Sequence, residues 1–164
     1  MYNPQHGDGM YKIGTEKKML NFYLKIFNQA YNKVVKLIGH DGTTHNVELN
    51  RVGRKMIGGK FIGVFASDAY PKFDGRESYC IVNLSKTNTN GTHWVARMCK
   101  RNTILWYDSF ARKISSLIPT SHGEDTSLVA SSMDQEVEQM DCGQRSLAAL
   151  YVGFKMGIEA FKQM

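Results

Sequence analysis

Four strand-length apolar runs in the middle of the chain, an amphipathic helical pattern before them and another after them predict an α+β fold. The expected architecture is a central mixed or antiparallel sheet flanked by helices, with a nucleophilic cysteine at the N-terminus of a buried helix. The 164 residues are enough for one compact domain with a core, and 42% of them are hydrophobic. No repeat, low-complexity tract or linker divides the chain. A single domain over 1–164 is expected, with 1–58 as a helical extension and 59–164 as the working core.

The first element follows from Leu20, Tyr23, Leu24, Phe27, Tyr31, Val34 and Ile38, which recur at steps of three and four while Lys17, Lys18, Lys25 and Lys33 take the other face. Thr15 is a suitable N-cap, Glu16 lies in the first turn and Gly39 stands past the end. Its last part is open to a second reading, since Val34 to Ile38 and Thr43 to Leu49 around Asp41-Gly42 also fit a hairpin. Strands are expected at Phe61 to Ala66, Ser78 to Leu84, His93 to Met98 and Thr103 to Tyr107. Ser109 to Thr126 holds one short apolar segment, Ile114 to Ile118, and reads as irregular or briefly helical. Leu147, Leu150, Tyr151, Phe154 and Ile158 then mark a closing buried helix from about Gly143 to Phe161.

Lys and Arg number 21 against 15 Asp and Glu, a formal charge of +6 that favours anionic partners such as nucleic acid. The three cysteines, Cys80, Cys99 and Cys142, are widely spaced with no Cys-x-x-Cys, which argues against a disulfide scaffold or a closed zinc site and for a reducing compartment. Met1 to Gly14 has no apolar run of the secretory kind. No segment approaches the ~20 apolar residues that span a bilayer, so an intracellular protein without a membrane partner is expected.

Cys142 lies in Gln139-Met140-Asp141-Cys142-Gly143, immediately before the last helix, where unpaired backbone N–H groups and the helix dipole favour an anion. A sulfur there is a candidate nucleophile. Cys80 and Cys99, in or beside strand patterns, read as small buried hydrophobes. If the third and fourth strands form a hairpin centred between Lys100 and Arg101, paired residue numbers sum to 201, as those of His93 and Asp108 do. The two would then face each other across the ladder, close enough for the carboxylate to orient the imidazole as a base. His6, His40, His45 and His122 lie in polar segments without an acidic residue at a mirrored position.

These residues carry a family resemblance. Phe61-Ile62-Gly63-Val64-Phe65, Tyr70-Pro71-Lys72-Phe73, Cys80-Ile81-Val82-Asn83, Gly91-Thr92-His93-Trp94-Val95-Ala96, Trp106-Tyr107-Asp108-Ser109-Phe110 and Asp141-Cys142-Gly143 resemble segments of the adenovirus protease (adenain) family in the same order. The related ubiquitin-like-protein proteases share the later motifs. The likeness runs from about Gly59 to Phe154 and implies a Cys-His-Asp triad of Cys142, His93 and Asp108. It also implies that Gln135, seven residues before the cysteine, donates to an oxyanion hole, with Gln139 as the weaker candidate.

What the resemblance implies is a maturation protease that cleaves viral capsid or core precursors at Gly-containing sites, working as a monomer in the virion and the infected cell without a bound cofactor. The short C-terminus and added N-terminal segment suit a virophage or Polinton-like relative. The family typically has Glu at the acid position, and it is activated by a peptide joined through a disulfide. No cysteine lies between Cys99 and Cys142 to form that bond, so the peptide is not carried over. Viral DNA is an expected partner and activator, through Arg51, Arg54, Lys55 and Lys60 and through Arg97, Lys100, Arg101, Arg112 and Lys113. Met56-Ile57-Gly58-Gly59-Lys60 resembles the sites such enzymes cut, which raises self-cleavage after Gly59. The alternatives are a protease that removes ubiquitin-like modifiers and a catalytically silent, basic DNA-binding virion protein.

Overall fold

The computed structural model describes residues 8–85, 93–112, 118, 127–128 and 139–164. Helix α1 (Asp8–Ile38) and helix α2 (Asn46–Ile57) lead through a short 3₁₀ turn into strands β1 (Phe61–Ala66), β2 (Ser78–Asn83), β3 (Trp94–Lys100), β4 (Thr103–Tyr107) and the two-residue β5 (Ser127–Leu128). Helices α3 (Cys142–Met156) and α4 (Ile158–Lys162) close the chain. The fold is α+β. The strands run in chain order across one sheet, and the sheet is mixed: β1 is parallel to β2, β2 with β3 and β3 with β4 are antiparallel, and β5 is parallel to β4.

Strict alternation along the sheet decides where the core sits, because successive strand residues point to opposite faces. Tyr79, Ile81, Ala96, Met98, Leu105 and Tyr107 enter one apolar cluster. Their neighbours Cys80, Val82, Val95 and Trp106 enter a second cluster on the other face, with Tyr70 and Ile118. The helices cover the first face: Phe27, Ala30, Val34 and Ile38 of α1, Leu49 and Val52 of α2 and Leu147 to Leu150 of α3 all join that larger cluster. Buried residues of α1 and α2 thus share the larger cluster with the sheet and α3.

Three local expectations are corrected. The alternative hairpin around Asp41-Gly42 does not form. Phe27, Ala30, Val34 and Ile38 all bury at steps of three and four, which is a helix face, and Asn46–Ile57 is a second helix whose entry is secured by the Glu48 carboxylate accepting the His45 N–H at 2.9 Å. The closing helix is interrupted at Gly157, whose φ of +96° suits glycine and separates α3 from α4. At the start of α1, Leu20 and Leu24 are exposed rather than buried, because the body begins only near Phe27.

The β3–β4 register also differs from expectation. Ala96 pairs with Tyr107 and Lys100 with Thr103, so paired numbers sum to 203 and the turn residues are Arg101 and Asn102, with φ of +50° and +59°. This is the doubly left-handed two-residue turn whose twist matches that of a hairpin. Carried on to residue 93, that register would set Phe110 rather than Asp108 opposite His93. His93 and Asp108 become diagonal neighbours on one face, a separation that long side chains still bridge.

Candidate functional site

Cys142 is the first residue of α3 and is largely buried. The residue before it does not cap the helix: the Asp141 carboxylate accepts the Tyr31 hydroxyl at 2.6 Å and Arg145 Nε at 3.1 Å. The Arg145 guanidinium in turn lies 5.2 Å from the centre of the Tyr31 ring. Burial, together with the bond to Asp141, pushes the Tyr31 phenol well above its usual range, so the proton stays on the tyrosine and Tyr31 is the donor. With its carboxylate turned to these partners, Asp141 makes no capping bond to the first turn of α3, whose leading N–H groups precede the first intrahelical bond, Arg145 N to Asp141 O. That is a place suited to a developing negative charge.

The first turn of α3 is clasped by the 39–45 connection. Gly143 has to be glycine, since a Cβ there would stand 2.1 Å from Thr44 Oγ1 and 3.0 Å from Leu49 Cδ2. Gln144 is wholly buried, and its Nε2 donates to the carbonyls of Gly42 at 2.8 Å and His40 at 3.2 Å. Ser146 Oγ donates to Trp94 O at 3.2 Å, and Trp94 Nε1 donates to Thr44 O at 3.3 Å. Connection, strand start and helix start are thereby tied to one another at the residues flanking Cys142 and His93.

His93 stands just before β3 and extends the ladder, its carbonyl accepting the Leu84 N–H at 3.0 Å. Its Nε2 meets Asp108 Oδ1 at 2.5 Å, and its ring lies 4.9 Å from that of Phe110. Asp108 has no exposed surface and is saturated with donors: Oδ1 also accepts Phe110 N at 3.1 Å, while Oδ2 accepts Arg112 N at 3.2 Å and Arg112 Nε at 2.9 Å. Residues 108–112 wrap around that carboxylate, with Ala111 at φ +54° and its N–H on Asp108 O at 2.8 Å.

Burial opposes the charge on Asp108, yet the bonds from His93 and Arg112 outweigh it and hold the carboxyl down at about 2. Burial likewise opposes the His93 imidazolium. The hydrogen bonds to Asp108 and then to Cys142 more than compensate, so the histidine is raised above its ordinary value. With Nε2 committed to Asp108, Nδ1 is the ring nitrogen left for other partners, and Cys142 is the second neighbour whose proximity raises the histidine. A cysteine at a helix start, a histidine and a buried carboxylate are thus associated, an arrangement of the kind that acyl transfer through sulfur uses.

Three of the four expected site residues, His93, Asp108 and Cys142, are thus brought together. Gln135 lies outside the described residues, as do His6 and His122; Gln139 is exposed. His40 and His45 are exposed on the connection between α1 and α2, where His40 Nε2 bonds Glu48 at 2.8 Å. Cys80, Cys99 and Cys142 are not joined by disulfides. Among the described residues, no group of three His, Cys, Asp or Glu side chains is placed to hold a metal ion, and no helix is long and apolar enough to cross a membrane.

Reading the sequence alone missed Phe110, Arg112 and Ser146. Arg112 is four residues from Asp108, a spacing that would have found it, and Phe110 would have followed from a turn placed at Arg101-Asn102. The second basic cluster also changes character. Arg97 is 1% exposed and stacked against Tyr70 and Trp106, Lys100 pairs with Glu77 at 3.2 Å, and Arg112 is held by Asp108, while Arg101 is exposed in the β3–β4 turn; Lys113 lies outside the described residues. In the first cluster, Lys60 pairs with Glu77, while Arg51, Arg54 and Lys55 are exposed on α2.

The chain matches no protein-family model and no curated protein sequence.

Proposed function

We propose that this chain is a cysteine endopeptidase of the adenovirus-protease type, cleaving viral capsid or core precursors at Gly-containing sites. The observation that carries the reading is the line from Cys142, at the start of α3, through His93 to the buried Asp108. In the proposed reaction His93 accepts the Cys142 proton and the sulfur attacks the scissile carbonyl. His93 then returns the proton to the leaving amine, and water hydrolyses the thioester to free the enzyme. The oxyanion would be met by the Cys142 backbone N–H and, from the sequence order, by the Gln135 amide. Viral DNA as partner and activator rests on the exposed members of the basic clusters, Arg51, Arg54, Lys55, Lys60, Arg101 and Arg112.

The test is mass mapping of products after mixing the protein with candidate precursor capsid proteins and, separately, with a ubiquitin-like fusion. Cleavage of the precursors after glycine, abolished in Cys142→Ala, is the expected result. Cleavage of the fusion alone would reassign the chain to the modifier-removing proteases. A Cys142 no more reactive toward an electrophilic thiol probe than Cys80 or Cys99, with no cleavage of either substrate, would overturn the enzymatic reading.

A further inference from the structure

The N-terminal part of helix α1 runs on past its first contacts with the core at Tyr23, Ile26 and Phe27. At about 1.5 Å per residue the 31 residues of the helix extend ~46 Å. Every residue from Gly14 to Phe22 is exposed, yet the exposed set is not polar: Met19, Leu20, Phe22 and Leu24 are each more than half exposed. Clustered apolar side chains of this size on a protein surface mark a contact site.

The stripe has a direction. Met19, Phe22 and Ile26 follow one another at steps of three and four, so they form a file along one flank of the helix. Ile26 opens into an apolar groove between α1 and the C-terminal half of α3, where Val152 and the exposed Met156 lie across from it. Tyr151 stands in that groove with two ammonium groups near its ring. Lys33 Nζ bonds its hydroxyl at 3.1 Å and lies 4.8 Å from the ring centre, and Lys155 Nζ lies 5.8 Å from the same centre. Among the described residues neither ammonium is paired with a carboxylate.

We propose that the groove between α1 and α3 is a docking surface for an acidic amphipathic helix of a partner protein. Such a helix would set apolar side chains on the Met19-to-Met156 stripe and carboxylates against Lys33 and Lys155. Helix-in-groove recognition uses this pairing of an apolar file with charges at its margin. The charges also select against other occupants. Between Gly14 and Ile38 the only acidic residue of α1 is Glu16, so a second copy laid on this face would set lysine against lysine. Nucleic acid would satisfy the lysines and leave the apolar file uncovered. The proposal is independent of the protease reading, since the groove lies at the end of α3 away from Cys142.

Methyl NMR of the intact protein tests it, with a synthetic amphipathic peptide of leucine and glutamate at helical spacing as probe and its lysine counterpart as control. The glutamate peptide is expected to shift the Met19 and Met156 signals saturably, with an affinity at least roughly tenfold above that of the lysine peptide. Lys33→Glu with Lys155→Glu should reverse that preference, and Phe22→Ser, at an exposed position, should weaken binding without lowering the melting temperature. Equal binding of both peptides, or of neither, overturns the proposal. So do two other outcomes: shifts produced instead by phosphatidylserine vesicles, which would make this a membrane face, and shifts that depend on protein concentration alone, which would make it a self-association face.

Discussion

Ser146 Oγ donates to the carbonyl oxygen of Trp94 at 3.2 Å, which ties the helix one turn below Cys142 to the residue after His93. Residues four apart on a helix lie on the same side, so this bond fixes the strand start at the level of the sulfur. Ser146→Ala leaves the part-buried Trp94 carbonyl without that donor, at an expected cost of about 1–2 kcal/mol. If the clasp positions His93, urea denaturation should show that loss together with a several-fold slower turnover of precursor. Turnover unchanged at equal folded fraction would reduce Ser146 to a structural role.

Gly143 supplies the second prediction. A methyl group at this position would overlap Thr44 Oγ1 and press on the Leu49 methyls, and both side chains are buried, with little room to move aside. Gly143→Ala is expected to destabilise the protein by about 2–3 kcal/mol, the range of overpacked sites. Because the clash with Thr44 is the closer one, adding Thr44→Gly should recover part of the loss, a coupling that a thermal-melt double-mutant cycle measures. Strict additivity of the two changes would show that the 39–45 connection does not press on α3.

The sheet is legible in the sequence because its strands are short apolar runs between turn residues. Their faces are legible too: Tyr79, Ile81, Ala96 and Met98 alternate with Cys80, Val82, Val95 and Arg97. The parallel pairing of β1 with β2 is not, since no pattern within Phe61–Ala66 records strand direction. The hairpin register went astray by one residue in the turn: Asn102 tolerates the left-handed conformation and moves the centre from between Lys100 and Arg101 to between Arg101 and Asn102. The pair of His93 with Asp108 survives that error only because diagonal neighbours also meet. The clasp around Cys142 could not be read at all. Its acceptors are the backbone carbonyls of His40, Gly42 and Trp94, groups that every residue type carries.

Asp108 makes the last prediction, and its sign follows from two opposite shifts. The Asp108 carboxyl is held down at about 2, against roughly 4 unfolded, so its contribution to stability is present above about pH 4 and is lost as pH falls toward 2. His93 is raised, so its contribution is fully present below its unfolded value of about 6.5 and is lost as pH rises through the folded value. The pair therefore stabilises the fold most between roughly pH 4 and 6.5. In Asp108→Asn the carboxylate is gone, and the acid limb it causes should flatten in chemical denaturation between pH 4 and 2. His93 loses the first of the two partners that raise it, so its imidazole NMR signals should titrate at lower pH than in the unaltered protein. If the protease reading holds, the alkaline limb of kcat/KM should move the same way, because the imidazolium that protonates the leaving amine is then lost earlier. A His93 titration that does not move would show that Asp108 is not what holds the proton on the ring, and the 2.5 Å contact would then be positional alone.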